Sequence, residues 1–132
     1  VKEATGDIEF GRELVRECGG DFMVASGDDG TFLNLISVGA QGVTSVASHI
    51  LPREFSDWCA RARKGDSGPL DEFEKYRELN DYLYVEANPI PVKMALHLMG
   101  IIESPELRLP MVTLAEPFKA ELKNKMTAVG LL

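Results

Sequence analysis

The sequence predicts an α/β fold with parallel strands in its first half and helices alone in its second. Three observations carry that prediction. Phe22-Met23-Val24-Ala25 is a short unbroken apolar run, the pattern of a strand covered on both faces and hence of a parallel sheet. Strand, loop and helix signals then alternate, with connections short enough for the right-handed crossovers of an α/β fold. From Pro69 onward the apolar residues recur only at helical spacing.

Val1 to Ala4 reads as the end of a strand that feeds a helix. Thr5-Gly6-Asp7 supplies the cap, Ile8, Leu14 and Val15 the apolar face to about Glu17, and Gly19-Gly20 the stop. Phe22 to Ala25 is the next strand. Ser26-Gly27-Asp28-Asp29-Gly30 follows as a turn with an N-cap, and Phe32, Leu33, Leu35, Ile36 and Val38 form a helix that Gly39 ends. Gly42 to Ala47 is a second, β-branched strand, and Pro52 opens a helix through about Arg63. Lys64 to Gly68 is the one linker-like segment. Beyond it, Leu70, Phe73, Tyr76, Leu79 and Leu83 share one face of a helix from Pro69 to Tyr84, and further helices cover Pro89 to Met99 and Glu116 to Val129.

Composition narrows the function. The chain has 132 residues, 14 basic and 21 acidic side chains, a net charge of −7 and 45% apolar residues, which is the makeup of one folded core. The acidic balance repels polyphosphate and anionic lipid, so no nucleic acid and no membrane surface is expected as a partner. The longest apolar stretch, Met94 to Ile102, is interrupted by His97 and is far short of the ~18–20 residues that span a bilayer. The opening Val1-Lys2-Glu3-Ala4 has neither a leader pattern nor an initiator Met and reads as a cut. Cys18 and Cys59 are far apart, with no CxxC and no His at zinc spacing, which fits a reducing cytoplasm and a packing role.

Lys2 stands at the carboxyl end of a presumed parallel strand, where α/β barrels place reacting groups. Position alone leaves it a solvated surface charge. Lys93, preceded by two prolines and set inside a helix, reads as structural. His49 and His97 have no carboxylate or cysteine at triad or ligand spacing, and Asp28-Asp29-Gly30 lacks the alternating acids of a calcium loop, so no metal is expected. Trp58, Met94, Met99 and the tyrosines Tyr76, Tyr82 and Tyr84 fit packing stripes.

Five segments carry a resemblance: Lys2-Glu3-Ala4-Thr5-Gly6-Asp7, Ser26-Gly27-Asp28-Asp29, Gly42-Val43-Thr44-Ser45-Val46, Glu86-Ala87-Asn88-Pro89-Ile90-Pro91-Val92-Lys93 and Leu107-Arg108-Leu109-Pro110. In order and spacing they resemble the C-terminal half of the dihydrodipicolinate synthase family. That family is part of the pyruvate-dependent class I aldolase group, which includes N-acetylneuraminate lyase. The resemblance implies the C-terminal part of a (β/α)8 TIM barrel over residues 1–65, followed by a C-terminal helical subdomain over residues 66–132.

It also implies a mechanism. Lys2 takes the role of the Schiff-base lysine for pyruvate, Gly27 falls in the active-site wall, and Thr44 falls where a main-chain carbonyl lines the site. An amine buried in a barrel mouth has its pKa lowered by desolvation and can attack a ketone. The expected reaction joins pyruvate to aspartate semialdehyde in lysine and diaminopimelate biosynthesis, with no cofactor. The expected setting is a cytoplasmic homo-oligomer, a homotetramer. A complete barrel needs about 200–250 residues, so the N-terminal barrel half and the family's tyrosine and Thr-Thr proton relay are expected on another stretch of polypeptide. The 132-residue chain alone is therefore expected to be inactive. Alternatives are an N-acetylneuraminate or keto-sugar acid aldolase with the same lysine, and a non-catalytic half-barrel partner subunit.

Overall fold

Asp7 starts the first helix as the sequence predicts: its carboxylate accepts from the backbone N–H groups of Glu9 and Phe10 at 3.0 and 3.1 Å. The computed structural model describes residues 1–132 and divides into two compact units, Val1–Glu74 and Lys75–Leu132. The first unit runs β1 (Lys2–Glu3), α1 (Ile8–Cys18), β2 (Ala25–Ser26), α2 (Phe32–Ser37), β3 (Gly42–Val43), a 3-10 turn (Ala47–His49), α3 (Pro52–Ala62) and α4 (Gly68–Glu74). The second contains only helices, α5 (Arg77–Tyr82), α6 (Ile90–Leu98) and α7 (Glu116–Ala128).

The sheet is parallel in the order β1-β2-β3, with Lys2 opposite Ala25, Glu3 opposite Ser26 and Ser26 opposite Val43. β2 and β3 are shorter than the segments that predict them. Phe22 and Met23 were expected in β2 but stand outside it, 48% and 67% exposed, while Val24 is buried. On the side of β3 the contacts begin at Val24, whose N–H donates to the Gln41 side chain at 2.8 Å and whose carbonyl accepts from the Gln41 N–H at 2.9 Å. The strand expected over Gly42 to Ala47 stops at Val43 for another reason. The Asp29 carboxylate accepts from the N–H groups of Val46 and Ala47 at 2.9 and 2.8 Å and bends them into the 3-10 turn.

Aromatic packing joins α2, α3 and α4. Phe32 stacks on Phe55 at a centroid distance of 4.9 Å, and Phe73 meets Phe32, Phe55 and Trp58 edge-on at 5.7, 6.2 and 5.7 Å. Such pairs contribute about 0.5–1.5 kcal/mol each beyond the area they bury. Arg61 ties the same elements at the surface through Asp57, Asp66 and Glu72, and Glu72 also accepts from the Trp58 indole at 2.9 Å. Phe73 is thereby fixed within the first unit, whose last residue is Glu74. The helix expected from Pro69 to Tyr84 is two helices, separated by a turn at Lys75 and Tyr76.

In the second unit the core is Leu79, Leu83, Val92, Met94, Ala95, Leu114, Leu122 and Met126, all buried. Glu86 accepts from the Ala115 N–H at 3.1 Å, and Lys93 donates to the Glu106 carbonyl. No helix of the chain is long and apolar enough to cross a membrane.

Candidate active site

Three parallel strands that end side by side bring three positions together. Lys2 lies in β1, Gly27 follows the last residue of β2, and Thr44 follows the last residue of β3. The ladder holds them in register. Gly27 N–H donates to the Glu3 carbonyl at 2.5 Å, and Thr44 N–H donates to the Ser26 carbonyl at 2.7 Å. The residues expected in the site thus come from adjacent strand ends, the edge at which parallel α/β sheets bind ligands.

The Lys2 side chain lies directly over Gly27. A Cβ at position 27 would stand 2.5 Å from Lys2 Cε, 2.9 Å from Lys2 Cγ and 2.7 Å from the Ala4 Cβ. Glycine is required here by that close approach. Gly27 is not among the glycines with positive φ, so backbone strain plays no part. Lys2 itself is exposed.

The acidic loop between β2 and α2 holds structure together. Asp28 accepts from the Thr31 hydroxyl at 2.6 Å, and Ser26 Oγ bonds the backbone of Asp28. Asp29 is fully buried and reaches across to Val46 and Ala47. The expected N-cap of α2 therefore does not form. Thr31 occupies that place without a side-chain cap, and the second aspartate serves the turn after β3.

The other candidates lie in structural contacts. Lys93 is committed to the Glu106 carbonyl. His49 Nδ1 is 3.0 Å from the Val46 carbonyl, and His97 Nδ1 is 3.3 Å from the Ile102 carbonyl. Tyr82 donates to the Phe118 carbonyl at 3.4 Å. Cys18 and Cys59 are free and half-buried; burial pushes the Cys59 thiol up, against a smaller opposing pull from Arg63, which is the setting of an inert thiol. A cavity of about 460 Å³ lined by Leu33, Ile36, Arg63 and Leu70 includes none of Lys2, Gly27 or Thr44.

Sequence reasoning missed Glu3. It is only 6% exposed, and its Oε1 accepts from the Thr5 N–H at 2.6 Å. The available signal was strand alternation, which turns the neighbour of an outward lysine inward and makes a carboxylate there unusual.

Comparison with known proteins gives the family. The pattern of the Dihydrodipicolinate synthetase family matches residues 1–129. The 4-hydroxy-tetrahydrodipicolinate synthase of Bdellovibrio bacteriovorus is 48% identical over 134 residues, covering 100% of this chain and 45% of the relative. The enzyme of that name from Shewanella pealeana is 46% identical over 96% of this chain and 43% of its own length. A crystal structure of a chloride-inhibited dihydrodipicolinate synthase from Acinetobacter baumannii, complexed with pyruvate, superimposes with a TM-score of 0.94 at 39% identity. It is covered over 45% of its length, and 99% of this chain is matched. The dihydrodipicolinate synthase of Thermotoga maritima gives a TM-score of 0.91 at 40% identity, with 99% of this chain and 45% of that one covered. The chain thus spans about 45% of the length of relatives that it matches from end to end. On that match, reached independently by sequence pattern and by backbone shape, the chain belongs to the dihydrodipicolinate synthetase family.

Proposed function

We propose that this chain is the C-terminal portion of a 4-hydroxy-tetrahydrodipicolinate synthase, a lyase of lysine and diaminopimelate biosynthesis, and that Lys2 is its pyruvate-binding amine. The observation that carries the reading is the Lys2 side chain lying over Gly27 at the carboxyl ends of three parallel strands. In the whole enzyme the first unit closes a (β/α)8 barrel with strands supplied by another stretch of polypeptide, and the helices of the second unit form the subdomain that follows. A cytoplasmic homotetramer, without cofactor or metal, completes the proposal.

In this mechanism Lys2 Nζ attacks C2 of pyruvate, and the carbinolamine loses water to leave an iminium. The iminium withdraws electrons, so that C3 gives up a proton and an enamine forms. The enamine carbon then bonds to the aldehyde carbon of aspartate semialdehyde, whose oxygen takes up a proton, and the iminium re-forms at C2. The amino group of the aspartate semialdehyde part attacks that C2, closes the ring and expels the Lys2 amine. Gly27 leaves room for the lysine to reach the ketone, and the Thr44 carbonyl lines the pocket. Closure of the barrel strips water from the amine, which favours its neutral, nucleophilic form. Hydroxyl groups to relay protons come from outside the present chain. The relatives described above carry the synthase name, which favours aspartate semialdehyde over an amino-sugar aldehyde as the acceptor.

Borohydride reduction in the presence of pyruvate tests the reading. In the assembled enzyme it should leave a pyruvate-derived mass on the peptide that contains Lys2. Label on Lys93 with Lys2 clean would overturn it. The 132-residue chain by itself should give no condensation, and addition of a polypeptide with the preceding strands should restore turnover; an active, monodisperse preparation of the chain alone would show that the division of labour is wrong.

A further inference from the structure

Glu3 is a buried carboxylate to which the mechanism above gives no task. Strand alternation sets it on the face opposite Lys2, exposed only 6% where Lys2 is open to solvent. A polar group in such a place is held by hydrogen bonds, and the carboxylate's bond runs to the turn that follows the lysine. Its Oε1 accepts from Thr5 N–H at 2.6 Å, which closes a turn around Ala4. Its backbone carbonyl accepts from Gly27 N–H at 2.5 Å. Its Oε2 lies under α1, 3.8 Å from where a Cβ at Gly11 would stand. Ala4 and Lys2 are in turn the residues that a Cβ at Gly27 would meet. Lys2 and Ala4 thus both lie against Gly27, and Glu3 holds the two sides of that contact, the Ala4-Thr5 turn through its carboxylate and Gly27 through its backbone carbonyl.

We propose that Glu3 is a positioning residue that aims Lys2 at the ketone by locking the Ala4-Thr5 turn. The inference rests on Lys2 being the pyruvate-binding amine. What Glu3 contributes is an acceptor oxygen at the right reach, so length and acceptor capacity matter and charge does not.

Three variants of the assembled enzyme test this. Glu3→Gln keeps an oxygen at the same reach, Glu3→Asp keeps the charge but withdraws the oxygen by one methylene, and Glu3→Met keeps the bulk without an acceptor. Per folded molecule, Glu3→Gln should trap pyruvate on Lys2 at nearly the wild-type rate, whereas Glu3→Asp and Glu3→Met should trap it more slowly and lose about tenfold to 10²-fold in kcat, the scale on which an ångström of misplacement acts. If Glu3→Met does not fold, the Gln and Asp pair decides. Equal trapping by Gln and Asp variants, or slower trapping by Gln than by Asp, would overturn the inference while leaving Lys2 as the amine. Wild-type enzyme that takes no label on Lys2 would overturn both readings together.

Discussion

In the first unit the residues assigned to chemistry stand at strand ends, with Lys2 laid across bare backbone at Gly27; in the second unit the comparable groups are tied to neighbours. Lys93 donates to the Glu106 carbonyl, Lys125 reaches Glu78 and Glu121 at 3.2 and 3.3 Å beneath the Tyr82 ring, and Tyr82 donates to Phe118. The polar groups fixed in the first unit, Glu3 and Asp29, bond the backbone around the candidate site. The difference teaches that residue type says little about role. Lys2 and Lys93 are the same side chain in motifs of equal clarity, and what separates them is whether the amine is committed to a carbonyl or left at a strand end.

The hardest test of that contrast is the pair of lysines. Lys2→Ala in the assembled enzyme should abolish turnover and imine trapping, while Lys93→Ala should keep both and lower the melting temperature by a few degrees, the effect of one hydrogen bond worth about 1 kcal/mol. If the two variants lose turnover alike, the contrast between the units fails.

Next in size is Phe73→Ala, which removes the ring shared by Phe32, Phe55 and Trp58 and should cost about 3–5 kcal/mol. The single tryptophan, Trp58, lies in the first unit and the three tyrosines, Tyr76, Tyr82 and Tyr84, in the second. Tryptophan fluorescence should therefore register an early transition that tyrosine absorbance does not share. Coincident transitions would show that the two units melt as one.

Gly27→Val drives a side chain into Lys2 and Ala4 and should reduce kcat by about 10²-fold, as a displaced amine would, with a smaller change in melting temperature. A loss of activity in proportion to stability would restrict Gly27 to folding.

The smallest effect is in pH, where the two units should differ in sign. The Asp66 carboxyl is held below its usual range by the Gly68 N–H and then by Arg61, and Glu72 by Arg61 and then by the Trp58 indole. Carboxyls depressed by folding stabilise above the ordinary carboxylate range, and that contribution is lost as pH falls below about 4. Lys125 is raised, first by Glu78 and then by Glu121. A raised lysine stabilises at all pH below its ordinary value of about 10.4 and loses that contribution as pH rises through its folded value. Acid should weaken the tryptophan-reported unit first and alkali the tyrosine-reported one. Asp66→Asn and Glu72→Gln together should flatten the acid limb alone.

Helix starts were legible in the sequence because they are written locally: Asp7 caps α1, and Pro52 opens α3 at a position where its missing N–H costs nothing. Strand lengths were not, since an apolar run does not mark where backbone pairing begins or ends: Val24 meets Gln41 only across the sheet, and Asp29 stops β3 from a distant loop. The break at Tyr76 was hidden in the same way, because Phe73 and Leu79 continue one helical stripe but are buried in different units. Lys2, Gly27 and Thr44 were singled out through the motifs of the family that the chain resembles. The residues that brace them were not, because Asp29 meets its donors only after a crossover, and Glu3 acts on a turn that no periodicity marks.

The bond from Asp29 to Val46 and Ala47 also makes two loops one mechanical piece. A carboxylate with no exposure, anchored after β2, holds the backbone that follows Thr44, so a disturbance of either loop is passed to the other without any contact at the strand ends themselves.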